Sequence, residues 1–270
     1  MYSITSVFPN WVYYLLAGFL GACLGSFLNV CIVRIPNEES IVWPPSHCRS
    51  CDHPIAWWEN IPVLSYIILR GHCRHCGHLI SPKYLIVELI TIGLSLATWW
   101  RFHDVRHYLA FFFLLVAPLI VISFIDLKHR IIPDVISLPG IIAGFGANAL
   151  FASRGAYSHV LLDSALGVLM GAGFLYLVAT AYEKLKKTEG LGGGDVKLAA
   201  MLGAFFGWRA SIFVLLVSSV IGSFVGVILI IVMKKNVKYA IPFGPFLSLG
   251  GLVYLFFGQR LINWYLGFFI

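Results

Sequence analysis

The chain has 270 residues, of which 59% are hydrophobic and only 11% charged, with a mean hydropathy of +0.87. A water-soluble domain cannot bury that much apolar surface, so lipid is the solvent for most of the chain. The formal charge of +7 is spread through short connections between apolar stretches, which argues against a nucleic-acid patch and reads as a topology signal.

Apolar stretches run over residues 9 to 33, 84 to 100, 108 to 125, 135 to 152, 160 to 182, 196 to 208, 211 to 233 and 241 to 258. They are read as about eight transmembrane helices of an all-α polytopic membrane protein, each needing about 20 residues to cross the hydrocarbon. No Lys or Arg precedes the first span and Arg34 follows it, which places the N-terminus outside and argues against a cleaved signal peptide. Alternation then puts the connections 34 to 83, 126 to 134, 183 to 197 and 234 to 240 inside. These hold 14 of the 19 Lys and Arg, which supports the same orientation independently. Trp99, Trp100, Trp208 and Trp264 fall near outer span ends, as interfacial aromatics do. GxxxG spacings at Gly21 and Gly25, Gly140 and Gly144, Gly167 and Gly171, and Gly222 and Gly226 predict close helix packing.

The sixth stretch, from Val196 to Trp208, has 13 residues and would be about 20 Å long as a helix. It is too short to cross alone. Immediately before it runs Glu189-Gly-Leu-Gly-Gly-Gly-Asp195-Val-Lys197, a carboxylate behind a glycine run at the mouth of an apolar segment. An acid at membrane depth costs roughly 2.5 to 3.5 kcal/mol on insertion scales, and such a residue usually faces protein or a water-filled cavity. Asp195 can also simply cap the helix that follows. A second acid, Asp126, closes the third span at the same inner face, 69 positions away. Paired carboxylates activate water when one is ionised and takes its proton while the other, protonated, polarises a carbonyl. Gly192 and Gly194 would support the pair by letting backbone approach closely, as a docking edge for an extended peptide. Lys197 can tune the charge of Asp195 or snorkel to the interface. Asp134 is the rival second acid, but it follows Pro133 and precedes an apolar run, as a helix N-cap does. Asp163, near an outer span end, is read as interfacial.

Two CxxC knuckles, Cys48-Arg-Ser-Cys51 and Cys73-Arg-His-Cys76, lie in the first inner connection with 21 residues between them, slightly beyond the usual spacing of a four-cysteine zinc site. On a side where thiols stay reduced, the four predict a closed structural Zn2+ site. His47, His53, His72, His75 and His78 lie in or beside the same loop, so a mixed ligand set stays open. Cys23 and Cys31, inside the first span, are read as packing residues.

Gly192-Gly-Gly-Asp195 followed by Val-Lys-Leu, with Ile125-Asp126 and Ile132-Pro-Asp134 upstream, resembles the prepilin leader peptidases, membrane aspartyl proteases of the GxGD type. Gly25-Ser-Phe-Leu-Asn-Val30, Arg34-Ile-Pro36 and Ile241-Pro-Phe-Gly-Pro245 extend the resemblance over nearly the whole chain. It implies that Asp126 and Asp195 are catalytic, and that the substrate is a type IV prepilin or type II secretion pseudopilin. The short basic leader of that substrate would be cut after a glycine at the cytosolic face of the bacterial inner membrane. Trp57 to Tyr66 and Leu69-Arg-Gly71, between the knuckles, resemble the cytosolic domain of the family's bifunctional branch. That implies a second activity, N-methylation of the new N-terminus from S-adenosylmethionine, with Glu88 as the matching glutamate. An interfacial Glu88 paired with a basic loop residue is the plainer alternative. No glycine-rich nucleotide fingerprint locates the methyl donor. The expected organisation is a first membrane helix over 1–34, a methyltransferase-associated zinc domain over 35–83, and the remaining helices with the protease site over 84–270. A transporter or channel using intramembrane acids is the rival reading, and it would place those acids near the midplane.

Overall fold

A computed structural model describes residues 8–153, 155–187, 192–233 and 241–267. Glu189 to Leu191 of the glycine-rich connection, and the connection at 234–240, lie outside the described residues. Each apolar stretch forms a helix. Among the described residues seven helices are long and apolar enough to cross a membrane. They are α1 (Asn10–Arg34), α3 (Lys83–Phe102), the continuous α4 (Val105–Phe111) and α5 (Ala117–His129), α6 (Asp134–Phe151), α7 (Tyr157–Lys186), α9 (Trp208–Met233) and α10 (Gly244–Leu266). A π turn at Phe112–Val116 joins α4 to α5. A five-residue helix, α2 (Leu64–Ile68), lies in the cysteine loop. The remaining apolar stretch is α8 (Gly193–Phe206), whose 14 residues make about 21 Å of helix, too short to span.

The chain divides into two compact units, Met1–Val121 and Ile122–Ile270. In the first, α1 and α3 run side by side because Gly21 and Gly25 offer no side chain: a Cβ on Gly21 would lie 2.8 Å from Ser95 Cβ, and one on Gly25 would lie 2.9 Å from Glu88 Cα. Small residues at such contacts let dispersion and interhelical hydrogen bonds act where lipid supplies no hydrophobic drive. Ser95 Oγ accordingly donates to Ala17 O at 2.6 Å. Trp99 stands in the last turn of α3 and faces inward. It is buried and stacks on Tyr13 with ring centroids 4.8 Å apart, whereas Trp100 and Trp264 are exposed. Cys31 packs in the core as expected, while Cys23 is exposed.

In the second unit α8 is the hub. It packs on α6 and α7, with further contacts to α9 and α10, and every side-chain position from Leu198 to Phe205 is buried. Gly140 and Gly144 of α6 admit Met201 and Ala204, and Gly167 and Gly171 of α7 meet Gly203 and Ala199. Asn148 closes the far end of α8, donating to Ala204 O at 2.8 Å and Phe205 O at 3.1 Å, carbonyls that the helix leaves without an internal partner.

Candidate functional site

The two acids singled out from sequence come together in the second unit. Asp126 sits in the last turn of α5, which ends where Arg130 turns left-handed (φ 57) and returns its N–H to Asp126 O. Its side chain is buried, only 5% exposed, and Oδ2 accepts a hydrogen bond from Gly244 N at 3.0 Å. Asp195 occupies the third position of α8. The cap is the backbone of Gly192, whose carbonyl receives Asp195 N at 3.1 Å, and no side chain caps the helix. Asp195 is thus not the N-cap residue itself, although from the third position its carboxyl accepts from the Gly192 backbone at the helix start. Its carboxyl, outside the seven spans, is pushed up to about 7, first by burial and then by the Asp126 charge. Like charges in one low-dielectric site cannot both ionise easily, so the pair favours holding one proton.

Ile132 links the walls of this site. A Cβ on Gly194 would lie 2.8 Å from Ile132 Cβ, and one on Gly244 would lie 2.7 Å from Asp126 Oδ2 and 3.0 Å from Ile132 Cδ1. Both glycines thus mark close approaches that any side chain would open. Gly192 is looser, since its added Cβ would meet Asp195 Oδ2 at an ordinary 3.5 Å. Lys197 does not face Asp195: its Nζ contacts both oxygens of Asp134 at 2.7 Å. Asp134 in turn provides no cap, because Pro133 holds that position with no side-chain cap bond. The ion pair ties the first turn of α6 to the second turn of α8. Gly244, the donor to Asp126, is not among the residues that sequence reasoning singles out. The flanking Pro242 and Pro245 in Ile241-Pro-Phe-Gly-Pro245 are its only trace.

In the first unit the two knuckles fold alike. Cys48 N donates to His53 O at 2.9 Å and Asp52 N to Cys48 O at 2.8 Å; Cys73 N donates to His78 O at 2.8 Å and Gly77 N to Cys73 O at 2.9 Å. Asp52 and Gly77 make the same left-handed turn, with φ 53 and 68. The Ser50 and Cys51 amides hold the Cys48 thiol down at about 7. All four thiols of Cys48, Cys51, Cys73 and Cys76 lie within 4.8 Å of one another, and Cys48 and Cys76 are 3.9 Å apart. A tetrahedron with 2.3 Å zinc–sulfur bonds has edges of about 3.8 Å, so this donor set fits such an ion. Among the described residues no histidine joins the four-thiol group. His47 and His72 turn Nδ1 toward carbonyls, and His53 and His75 face each other with centroids 3.4 Å apart.

Glu88, also in the first unit, is 9% exposed and accepts Val63 N at 2.7 Å. It forms no ion pair among the described residues, so the expected basic loop partner is replaced by a backbone amide. Glu88 lines a cavity of about 620 Å3 that reaches Asn29 and Arg34 of α1 and the inner faces of both knuckles.

The fold and site define a multi-pass membrane protein with a buried carboxylate pair in one unit and a four-thiol centre able to hold a metal in the other. The model for the bacterial peptidase A24 N-terminal domain matches residues 19–102, and that for the type IV leader peptidase family matches residues 113–227. Relatives named prepilin leader peptidase/N-methyltransferase include those of Aeromonas hydrophila (37% identical over 95% of this chain and 94% of the relative) and Legionella pneumophila (34%, 96% of each). That of Pseudomonas aeruginosa is 35% identical over 92% of each. No solved structure matches. The chain belongs to the prepilin leader peptidase/N-methyltransferase family.

Proposed function

We propose that this chain cuts the leader from type IV prepilins or type II secretion pseudopilins and N-methylates the residue exposed by the cut. The observation that carries the peptidase reading is the meeting of Asp126 and Asp195, from helices far apart in sequence, in one glycine-walled site. Asp126 receives a fixed N–H donor, which suits it to act ionised and take the proton of the attacking water. Asp195, with its raised carboxyl pKa, suits the complementary role, donating a hydrogen bond to the scissile carbonyl oxygen. The amine then leaves with the proton and the pair returns to its starting state. Gly192 and Gly194 leave room for an extended peptide backbone. Lys197 supports the pair at one remove, by fixing the start of α8 through Asp134.

The basic residues of the inner connections support a cytosolic site in the bacterial inner membrane, and the substrate's own apolar helix would deliver its cut site to this depth. Residues 35–83 form the methyltransferase-associated domain, in which Cys48, Cys51, Cys73 and Cys76 hold a structural Zn2+. S-adenosylmethionine supplies the methyl group, and Glu88 holds the incoming amine. Residues 84–270 carry the remaining helices and the protease pair.

Purified protein is incubated in detergent with a prepilin and S-adenosylmethionine, and the product is weighed as intact mass. The expected product has lost its leader and gained one methyl group. Absence of any leader loss across several prepilins would overturn the peptidase reading and favour ion handling by the same acids.

A further inference from the structure

The cavity of about 620 Å3 in the first unit falls within the range of about 300 to 1,000 Å3 typical of small-molecule sites. Two charged side chains on its wall are nine-tenths buried, Arg34 at 8% exposure and Glu88 at 9%. Neither forms an ion pair among the described residues. The Arg34 guanidinium donates to two carbonyls, Ser40 O at 2.9 Å and Pro45 O at 3.5 Å. Buried charges of this kind are normally neutralised by an opposite charge. Of the other charged residues on the wall, Glu39, Arg49, Asp52 and Arg74 are exposed and Glu59 pairs with Arg74, so Arg34 and Glu88 are the two buried charges without an opposite charge among the described residues.

Their separation follows from the helices. Gly25 of α1 is level with Glu88, and Asn29 Nδ2 donates to Tyr84 O at 3.0 Å, so the two helices stay in register through this segment. Arg34 lies nine residues beyond Gly25, about 13 Å along the axis. An elongated ligand with a carboxylate at one end and a cationic centre further in answers both charges.

A second observation also marks the site. Val63 adopts φ 63 and ψ −51, and Leu64 N donates to Pro62 O at 2.6 Å, the pattern of a γ-turn. A β-branched residue is strained in that conformation. The turn aims Val63 N at Glu88 Oε2, and such strain gathers at ligand clamps and active sites.

We propose that this cavity is the S-adenosylmethionine site, with Arg34 binding the carboxylate of the methionine moiety and Glu88 facing the end where sulfonium and substrate amine meet. The assignment rests on the methyltransferase reading above. Arg suits the task because its fork matches a carboxylate.

The test compares two ligands on the full-length protein in detergent. S-adenosylhomocysteine carries the amino-acid end, and methylthioadenosine shares the nucleoside and thioether but lacks it. Wild type is expected to bind the first about tenfold or more tighter, as loss of a charge-assisted pair predicts. Arg34→Gln is expected to bind the two alike, with its methylthioadenosine affinity within about threefold of wild type. A variant that keeps the full preference overturns the proposal. Ultraviolet cross-linking of S-adenosylmethionine to the wild type needs no variant: label on peptides covering 26–34 or 84–88 supports the site, and label confined elsewhere overturns it. A wild type that binds neither ligand and adds no methyl to a cut prepilin removes the methyltransferase reading as well. Binding without the Arg34-dependent preference removes this site alone.

Discussion

The two chemically equipped regions of this protein are assembled in opposite ways. The four thiols come from one loop, in two copies of the same short turn, each closed by its own backbone hydrogen bonds. The carboxylate pair comes from α5 and α8, and the peptide N–H that holds Asp126 arrives from residue 244, 118 positions further on. The cysteine centre is therefore local and could hold a metal. The acid pair depends on the second unit being folded, since its hydrogen-bond donor comes from Gly244. The first should tolerate change in distant helices, and the second should tolerate very little.

The sharpest way to break this comparison is to remove the acids while leaving the thiols. Asp126→Asn or Asp195→Asn is expected to lower leader cleavage by about a thousandfold or more, with bound zinc unchanged, as read by product mass and metal analysis. Substantial cleavage in both single variants would sink the dyad. The converse change, Cys48→Ser with Cys73→Ser, is expected to abolish zinc binding and methyl transfer while cleavage stays within about tenfold of wild type, since two lost thiolates leave too few ligands. Parallel loss of cleavage and methylation would show that the two centres are not separable. Gly244→Ala tests the long-range support. With its Cβ 2.7 Å from Asp126 Oδ2 it must displace that carboxylate, and cleavage is expected to fall about tenfold to a hundredfold in kcat. The smallest effect is expected at Lys197→Gln. The ion pair with Asp134 is 40% and 56% exposed and is worth about 0 to 1 kcal/mol, so cleavage should change by less than about fivefold. A loss of a hundredfold would mean that Lys197 acts on the carboxylates directly.

The same contrast explains which features are legible in the sequence. The cysteines are legible because their spacing alone encodes the turn. The spans are legible because lipid thickness fixes helix length, and even α8 announces itself by being too short. The glycine pairs at 21 and 25, 140 and 144, and 167 and 171 make the helix contacts expected of them. The partners of single polar groups are not legible. Nothing local to Lys197 says that Asp134, rather than Asp195, takes its ammonium, and nothing local to Gly244 points to Asp126. The inward turn of Trp99 is illegible for the same reason, since its ring partners Tyr13 and Tyr108 come from α1 and α4. Local composition fixes where a segment resides, and tertiary packing chooses what its side chains touch.

The burial of α8 bears on how the protein is made. Seven helices can enter the bilayer one by one, because each has length and an apolar face for lipid. The helix carrying Asp195 has neither, with Leu198 to Phe205 wholly enclosed by protein. It gains a place only after its neighbours α6, α7, α9 and α10 stand in the membrane, and two of those are synthesised after it. A nascent or half-inserted chain would therefore carry both aspartates before the packing that brings them together is complete.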